Sequence, residues 1–258
     1  MNRRQSAGEK RGRVFHKGKT RSYQAFASLA QSALIMALYI ALTLTTPWMS
    51  FQVVQLRLAE VLTALPALFP SAIPGVFAGC LVSNILNPSP LGLVDIICGS
   101  ATTLCAASLT WIMAKPLRQA LARMLQEGNP PPSAETALIG GAVPPRGYAA
   151  PLPKREEDGK GSGKMARGKR RLFAMRFIPL LPPVVLNALV VGTYLPYLLS
   201  EGAPGIWFIL GTIGSIFLSQ AVVVWGLGLP LIMSLERTPW AKRIYLVGND
   251  ALLRSETE

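Results

Sequence analysis

The chain has 258 residues, half of them hydrophobic, with a mean hydropathy of +0.36 and a formal net charge of +13. The apolar residues fall in long charge-free blocks rather than periodic stripes, which excludes an ordinary soluble domain and marks an integral membrane protein. Three cysteines, all in apolar blocks, and a single histidine, His16, argue against a disulfide scaffold and a metal centre.

Residues 1–22 form a basic tail with eight Lys and Arg but one aromatic, Phe15, and no base-reading module. Attraction to anionic lipid headgroups is the expected role, not nucleic-acid binding. Residues 29–48, LAQSALIMALYIALTLTTPW, carry no charge over 20 positions, enough to cross about 30 Å of hydrocarbon at about 1.5 Å per residue. The block follows a basic stretch as a signal peptide does, but it is too long and lacks a small-residue cleavage site before Pro47 and Trp48. It is therefore expected to be retained. Ala33, Ala37 and Ala41 recur every fourth residue and make a smooth ridge. By spacing alone the ridge serves association with another chain or packing inside the bundle equally well.

Residues 56–86, LRLAEVLTALPALFPSAIPGVFAGCLVSNIL, decide the topology. One kinked helix there gives five crossings and leaves the thirteen basic residues of 115–176 outside. Two short helices folded back near Pro70, with Ser71 as a cap and Pro74 in the next first turn, give six. Then 25 of 26 basic residues lie inside, as the positive-inside rule requires. The expected spans are 29–48, 56–69, 71–86, 93–114, 177–199 and 205–235, with both termini cytoplasmic. They fall in two membrane regions, 23–115 and 177–235. The second and third are shorter than a usual crossing and need either an earlier start, near Phe51, or partial insertion. Gly75 with Gly79, and Gly211 with Gly214, are expected to be internal packing sites.

Residues 116–176 form an insert with eight prolines from Pro116 to Pro153 and runs such as KREEDGKGSGKMARGKRR, the composition of a disordered cytoplasmic linker. Its start, KPLRQALARMLQ, is expected to be a basic interfacial helix. GKMARGKR fits G-x-x-x-x-G-K, but Arg170 stands in the place of the Mg²⁺-binding hydroxyl and no strand precedes it, so the chain is not expected to hydrolyse ATP. Residues 236–258 are read as a cytoplasmic tail.

Ionisable groups at membrane depth cost a few kcal/mol and point to a functional site. Here they are Arg57, Glu60 and Asp95, joined by the amides Asn84, Asn187 and Gln220. In the six-span topology Arg57, Glu60, Asn84 and Asp95 lie near outward helix ends, with Asn187 and Gln220 near mid-span. Each has a purely structural alternative. Arg57 and Glu60 can pair at i and i+3, Asn84 and Asp95 can cap helices, and Asn187 and Gln220 can bond between helices. A carboxylate and amides without a nucleophile–base pair suit a small nitrogen-rich ligand better than catalysis, so the chain is not expected to be an enzyme.

The ordered motifs LRLAEVLTALPALFPSAIPGVFAGCLVSNI, GLVDIICGSATTLCAA, LPPVVLNALVVG and GLGLPL resemble the QueT family of queuosine-precursor transporters, over about residues 29–115 and 177–235. The resemblance implies an all-α, six-transmembrane-helix S-component bundle of an energy-coupling-factor (ECF) importer. It needs no cofactor of its own and works with a coupling transmembrane subunit and two ATPases on other chains. It implies a cell-membrane protein that binds a 7-deazaguanine base from outside through Arg57, Glu60, Asn84, Asp95 and Asn187. It further implies that Ala33, Ala37 and Ala41 meet the coupling subunit. Rival readings are an S-component for another vitamin or nucleobase, with the pocket reworked around Gln220, and a non-transporting membrane scaffold.

Overall fold

The computed structural model describes residues 25–46, 57–87, 91–127, 170–200 and 202–238. The expected N-terminal tail, the middle of the insert and the last twenty residues lie outside them. Among the described residues there is no strand. Four helices are long and apolar enough to cross a membrane: α1 (Ala25–Thr45), α4 (Asp95–Met113), α6 (Arg170–Leu199) and α7 (Ile206–Arg237). Between them lie two shorter apolar helices, α2 (Leu58–Ala67) and α3 (Ala72–Ile85), and the amphipathic α5 (Lys115–Glu127).

Helix α2 is a 3-10 helix over 10 residues, not the expected α-helix. Pro66 lies inside it and withholds one backbone donor, and Pro70 follows. The tighter coil rises about 2.0 Å per residue, so α2 reaches about 20 Å where an α-helix of that length reaches about 15 Å. It thus lies beside much of α4, from Arg57, within electrostatic reach of Asp95, to Ala67, whose carbonyl meets Arg118 beyond the far end of α4. Ser71 does not cap α3 as expected. Its hydroxyl donates instead to Gln31 Oε1 at 2.6 Å, while its carbonyl accepts from Ser32 Oγ at 2.7 Å, so this corner is stitched to α1.

Helix α3 runs alongside α1 in the same direction, Gly75 beside Ser32 and Ile35, and Gly79 beside Tyr39. A Cβ on Gly79 would lie 2.6 Å from Tyr39 Cβ, and one on Gly75 2.8 Å from Ser32 O, so both are internal packing sites as expected. Gly211 and Gly214 are not. A Cβ at either would meet nothing within 4 Å, because both face outward from α7 beside exposed Leu210 and Phe217.

One end of the bundle gathers the basic residues. Arg118 of α5 is buried, donates to the carbonyls of Ala67 at 3.2 Å and Trp111 at 2.7 Å, and stacks 3.4 Å over the Trp111 ring. It thereby satisfies late carbonyls of α2 and α4, which hydrocarbon cannot do, and places a cation at their negative ends. Arg176 of α6 forms a two-pronged ion pair with Glu236 near the end of α7, and Phe177 stacks on Trp225 at 4.5 Å. Helical chain continues to Glu127 and resumes at Arg170, so both expected insert boundaries fall within helices.

The main core joins Ile35 and Tyr39 of α1, Leu62 and Leu65 of α2, Val76 of α3, Ala107 of α4, Leu117 of α5, Val184 of α6 and Val224 of α7. A satellite core of Ala188, Val191, Leu195 and Ile216 locks α6 to α7. Gly79→Ala should destabilise the detergent-solubilised protein by about 1–3 kcal/mol, the range for overpacking. Gly211→Ala should leave its thermal midpoint unchanged or slightly higher. A midpoint for Gly79→Ala equal to the parent protein's contradicts the close α1–α3 approach.

Candidate functional site

At the end opposite Arg118, charged and amide side chains from four helices turn inward and are almost fully buried. Glu60 and Asp95 are each 1% exposed, Asn84 2%, Asn187 5% and Arg57 6%. Arg57 lies within electrostatic reach of Glu60, Asp95, Tyr39 and Cys80. Five of the six residues singled out in the sequence therefore share one polar cluster.

The carboxylates are not left to each other or to Arg57. Glu60 Oε1 accepts from the Tyr39 hydroxyl at 2.7 Å, and Asp95 Oδ1 accepts from the Tyr194 hydroxyl at 2.8 Å. Asp95 thus does not serve as a helix cap, and Glu60 makes its hydrogen bond to α1 rather than to its i−3 neighbour. Asn84 donates to the Asp95 carbonyl at 3.4 Å and to Cys80 Sγ at 3.8 Å, and Cys80 also accepts from Thr103 Oγ1 at 3.4 Å. Cys80 therefore ties Asn84 of its own helix to Thr103 of α4. Gly99 keeps the floor open, since a Cβ there would lie 3.1 Å from Asn84 Nδ2 and 3.4 Å from Tyr194 Oη.

Tyr39, Tyr194, Cys80 and Thr103 were not among the residues singled out. The only sequence signal for Tyr39 is Gly79, the small partner against which its side chain packs. Gln220 is buried on α7, but among the described residues no hydrogen bond joins it to the cluster.

Local helix geometry aims two of these side chains. Asp95 opens a π-helical turn, Asp95–Gly99, and Asn187 opens another, Asn187–Val191. A third, Val222–Gly228, begins two residues after Gln220. Each π turn accommodates an extra residue and rotates the helix before it relative to the helix beyond, a device frequent at functional sites.

Three buried polar atoms of the cluster have no hydrogen-bond partner: the acceptors Glu60 Oε2 and Asn84 Oδ1, and the donor Asn187 Nδ2. Asn187 faces Glu60 without closing a hydrogen bond to it. Buried polar atoms are nearly always paired, and each unpaired one costs about 1–3 kcal/mol, so three together mark hydrogen-bonding capacity that the protein itself does not use. No group of three or more His, Cys, Asp or Glu arranged to hold a metal occurs among the described residues.

The sequence model of the QueT transporter family matches residues 29–152, which include Arg57, Glu60, Asn84 and Asp95. This segment belongs to the QueT transporter family. Four helices long and apolar enough to cross a membrane make the chain a multi-pass membrane protein, and its polar cluster lies largely within the matched segment. No curated protein and no solved structure matches the chain.

Outside the cluster, Ala33, Ala37 and Ala41 are all exposed, on the face of α1 opposite buried Ile35, Tyr39 and Thr43. Tyr194→Phe should leave Asp95 Oδ1 without its donor and lower ligand-free stability by about 1–3 kcal/mol, measured by thermal unfolding in detergent. An unchanged midpoint means water replaces the tyrosine hydroxyl at that oxygen.

Proposed function

We propose that the chain is the substrate-binding subunit, or S-component, of an ECF importer, and that it captures a queuosine precursor, a 7-deazaguanine base. The observation that carries the reading is the buried trio of unpartnered atoms, two acceptors and one donor, within a transporter-family protein. A guanine-like edge presents adjacent N–H donors beside a carbonyl acceptor, the complement of Glu60 Oε2, Asn84 Oδ1 and Asn187 Nδ2. In this reading Arg57 and Asp95 complete the pocket, and the buried Gln220 of α7 is assigned to it as a further amide. The anionic side chains also suit an exocyclic amine on the precursor.

The six-crossing topology supports outward capture. Helices α1 and α3 run in parallel, so the chain must reverse through α2 between them, and the polar cluster lies at the end away from Arg118, Arg176 and Arg237. With basic residues inside, both termini are cytoplasmic, the protein resides in the cell membrane, and the cluster faces out. Occupancy then leads to inward release driven by two ATPases through a coupling transmembrane subunit. Ala33, Ala37 and Ala41, exposed on α1, give that subunit a surface on which helices approach closely.

Glu60→Gln should abolish saturable binding of a 7-deazaguanine base to the purified protein while leaving its thermal midpoint within a few degrees. Normal binding by this variant removes Glu60 from the site. Ala37→Leu should bind the base normally and co-purify with less of the coupling subunit and ATPases. Undiminished assembly would show that the alanine ridge is not the contact.

A further inference from the structure

Of the two carboxylates, Glu60 is the one with an oxygen buried and unused, and its other oxygen is held by a residue of a different helix. Tyr39 is 1% exposed and reaches Glu60 from α1, with its Cβ packed against Gly79 where a side chain would not fit. Around the same carboxylate stand two groups able to occupy it from within the protein. Arg57 is in electrostatic reach, and Asn187 faces it with Nδ2 unpartnered.

A carboxylate free to rotate among these groups would satisfy itself internally, closing on Asn187 and turning its second oxygen toward Arg57. The Tyr39 hydroxyl, at 2.7 Å from Oε1, fixes the plane of the carboxylate and commits one oxygen. Oε2 is left with nothing to accept from, and Asn187 keeps its donor unspent. A ligand N–H then meets an acceptor whose orientation is already set, so less ordering is required on binding.

We propose that Tyr39 is a positioning residue for ligand recognition: by holding Glu60 Oε1 it reserves Glu60 Oε2 for an exocyclic amine of the bound base and thereby sets selectivity for amine-bearing purine-like solutes. The proposal rests on the S-component reading above and assigns to α1, through a residue that need not touch the ligand, a part in choosing it. A hydrogen bond to a charged carboxylate is among the stronger ones in proteins, and in a site from which water is excluded its geometry is correspondingly decisive.

The test is equilibrium binding of two probes, 7-deazaguanine and 7-deazahypoxanthine, which differ by the exocyclic amine, to the full-length purified protein and to Tyr39→Phe. The phenyl ring retains the packing against Gly79, and binding of the amine-free base reports that the variant is folded. The parent protein should prefer 7-deazaguanine, and Tyr39→Phe should lower that preference about tenfold or more while changing affinity for 7-deazahypoxanthine little. An equal fall for both bases, loss of both, or an unchanged preference makes Tyr39 a packing residue and overturns the proposal. Failure of the parent protein to bind 7-deazaguanine at all overturns the functional reading itself, an outcome distinct from the others.

Discussion

The arrangement turns on keeping a carboxylate ionisable and available at a depth where hydrocarbon surrounds the protein. Glu60 meets this constraint with a hydroxyl from α1 on one oxygen and a cation at the entrance to its own helix within electrostatic reach, while the Asn187 amide of α6 faces it unspent. Taking such a charge out of water costs several kcal/mol, and a neighbouring cation alone offsets that loss only when geometry and further hydrogen bonds are favourable. The close α1–α3 approach, the 3-10 course of α2 and the π turn at Asn187 together bring those partners within range. Relaxing any of them would expose the carboxylate to lipid or surrender it to an internal partner.

The two ends of the bundle solve the same problem of polar groups in lipid by opposite means. At the Arg118 end the cations are engaged within the protein: Arg118 closes helix carbonyls and stacks on Trp111, and Arg176 grips Glu236 with both prongs. Those contacts fasten α5 to α2 and α4, and α6 to α7. At the Glu60 end, hydrogen-bonding capacity is left over on both carboxylate and amide groups. Interlocked charges make one end a fixed base, whereas unused acceptors and donors make the other receptive.

The cluster was legible in the sequence because Arg57, Glu60, Asn84, Asp95 and Asn187 are residue types that lipid-facing helices avoid, so each announces an inward orientation wherever it occurs. Tyrosine, cysteine and threonine are ordinary in apolar spans, so nothing in composition separated Tyr39 and Tyr194 from interfacial or packing aromatics. Gly211 and Gly214 were misread for a related reason. On α7 both faces are apolar, and periodicity then does not tell which one meets the bundle. The basic start of α6 lay beyond the charge-free block used to mark the span, yet its arginine is neutralised by Glu236 and the helix runs on through it. The 3-10 and π segments left no compositional trace apart from Pro66 and Pro179 in the two 3-10 stretches.

Those π turns bear on how such a site changes over time. A π turn is a one-residue surplus in an otherwise regular helix, and removing that surplus rotates the preceding stretch by about 100° against the remainder. Asp95 and Asn187 each stand at the head of such a surplus. Single-codon losses and gains within these spans would therefore swing an acidic or amide group out of the polar cluster, or a new one into it, in one step. Related chains with differently composed clusters would then be expected to differ in span length by single residues at these two places as much as in side-chain identity.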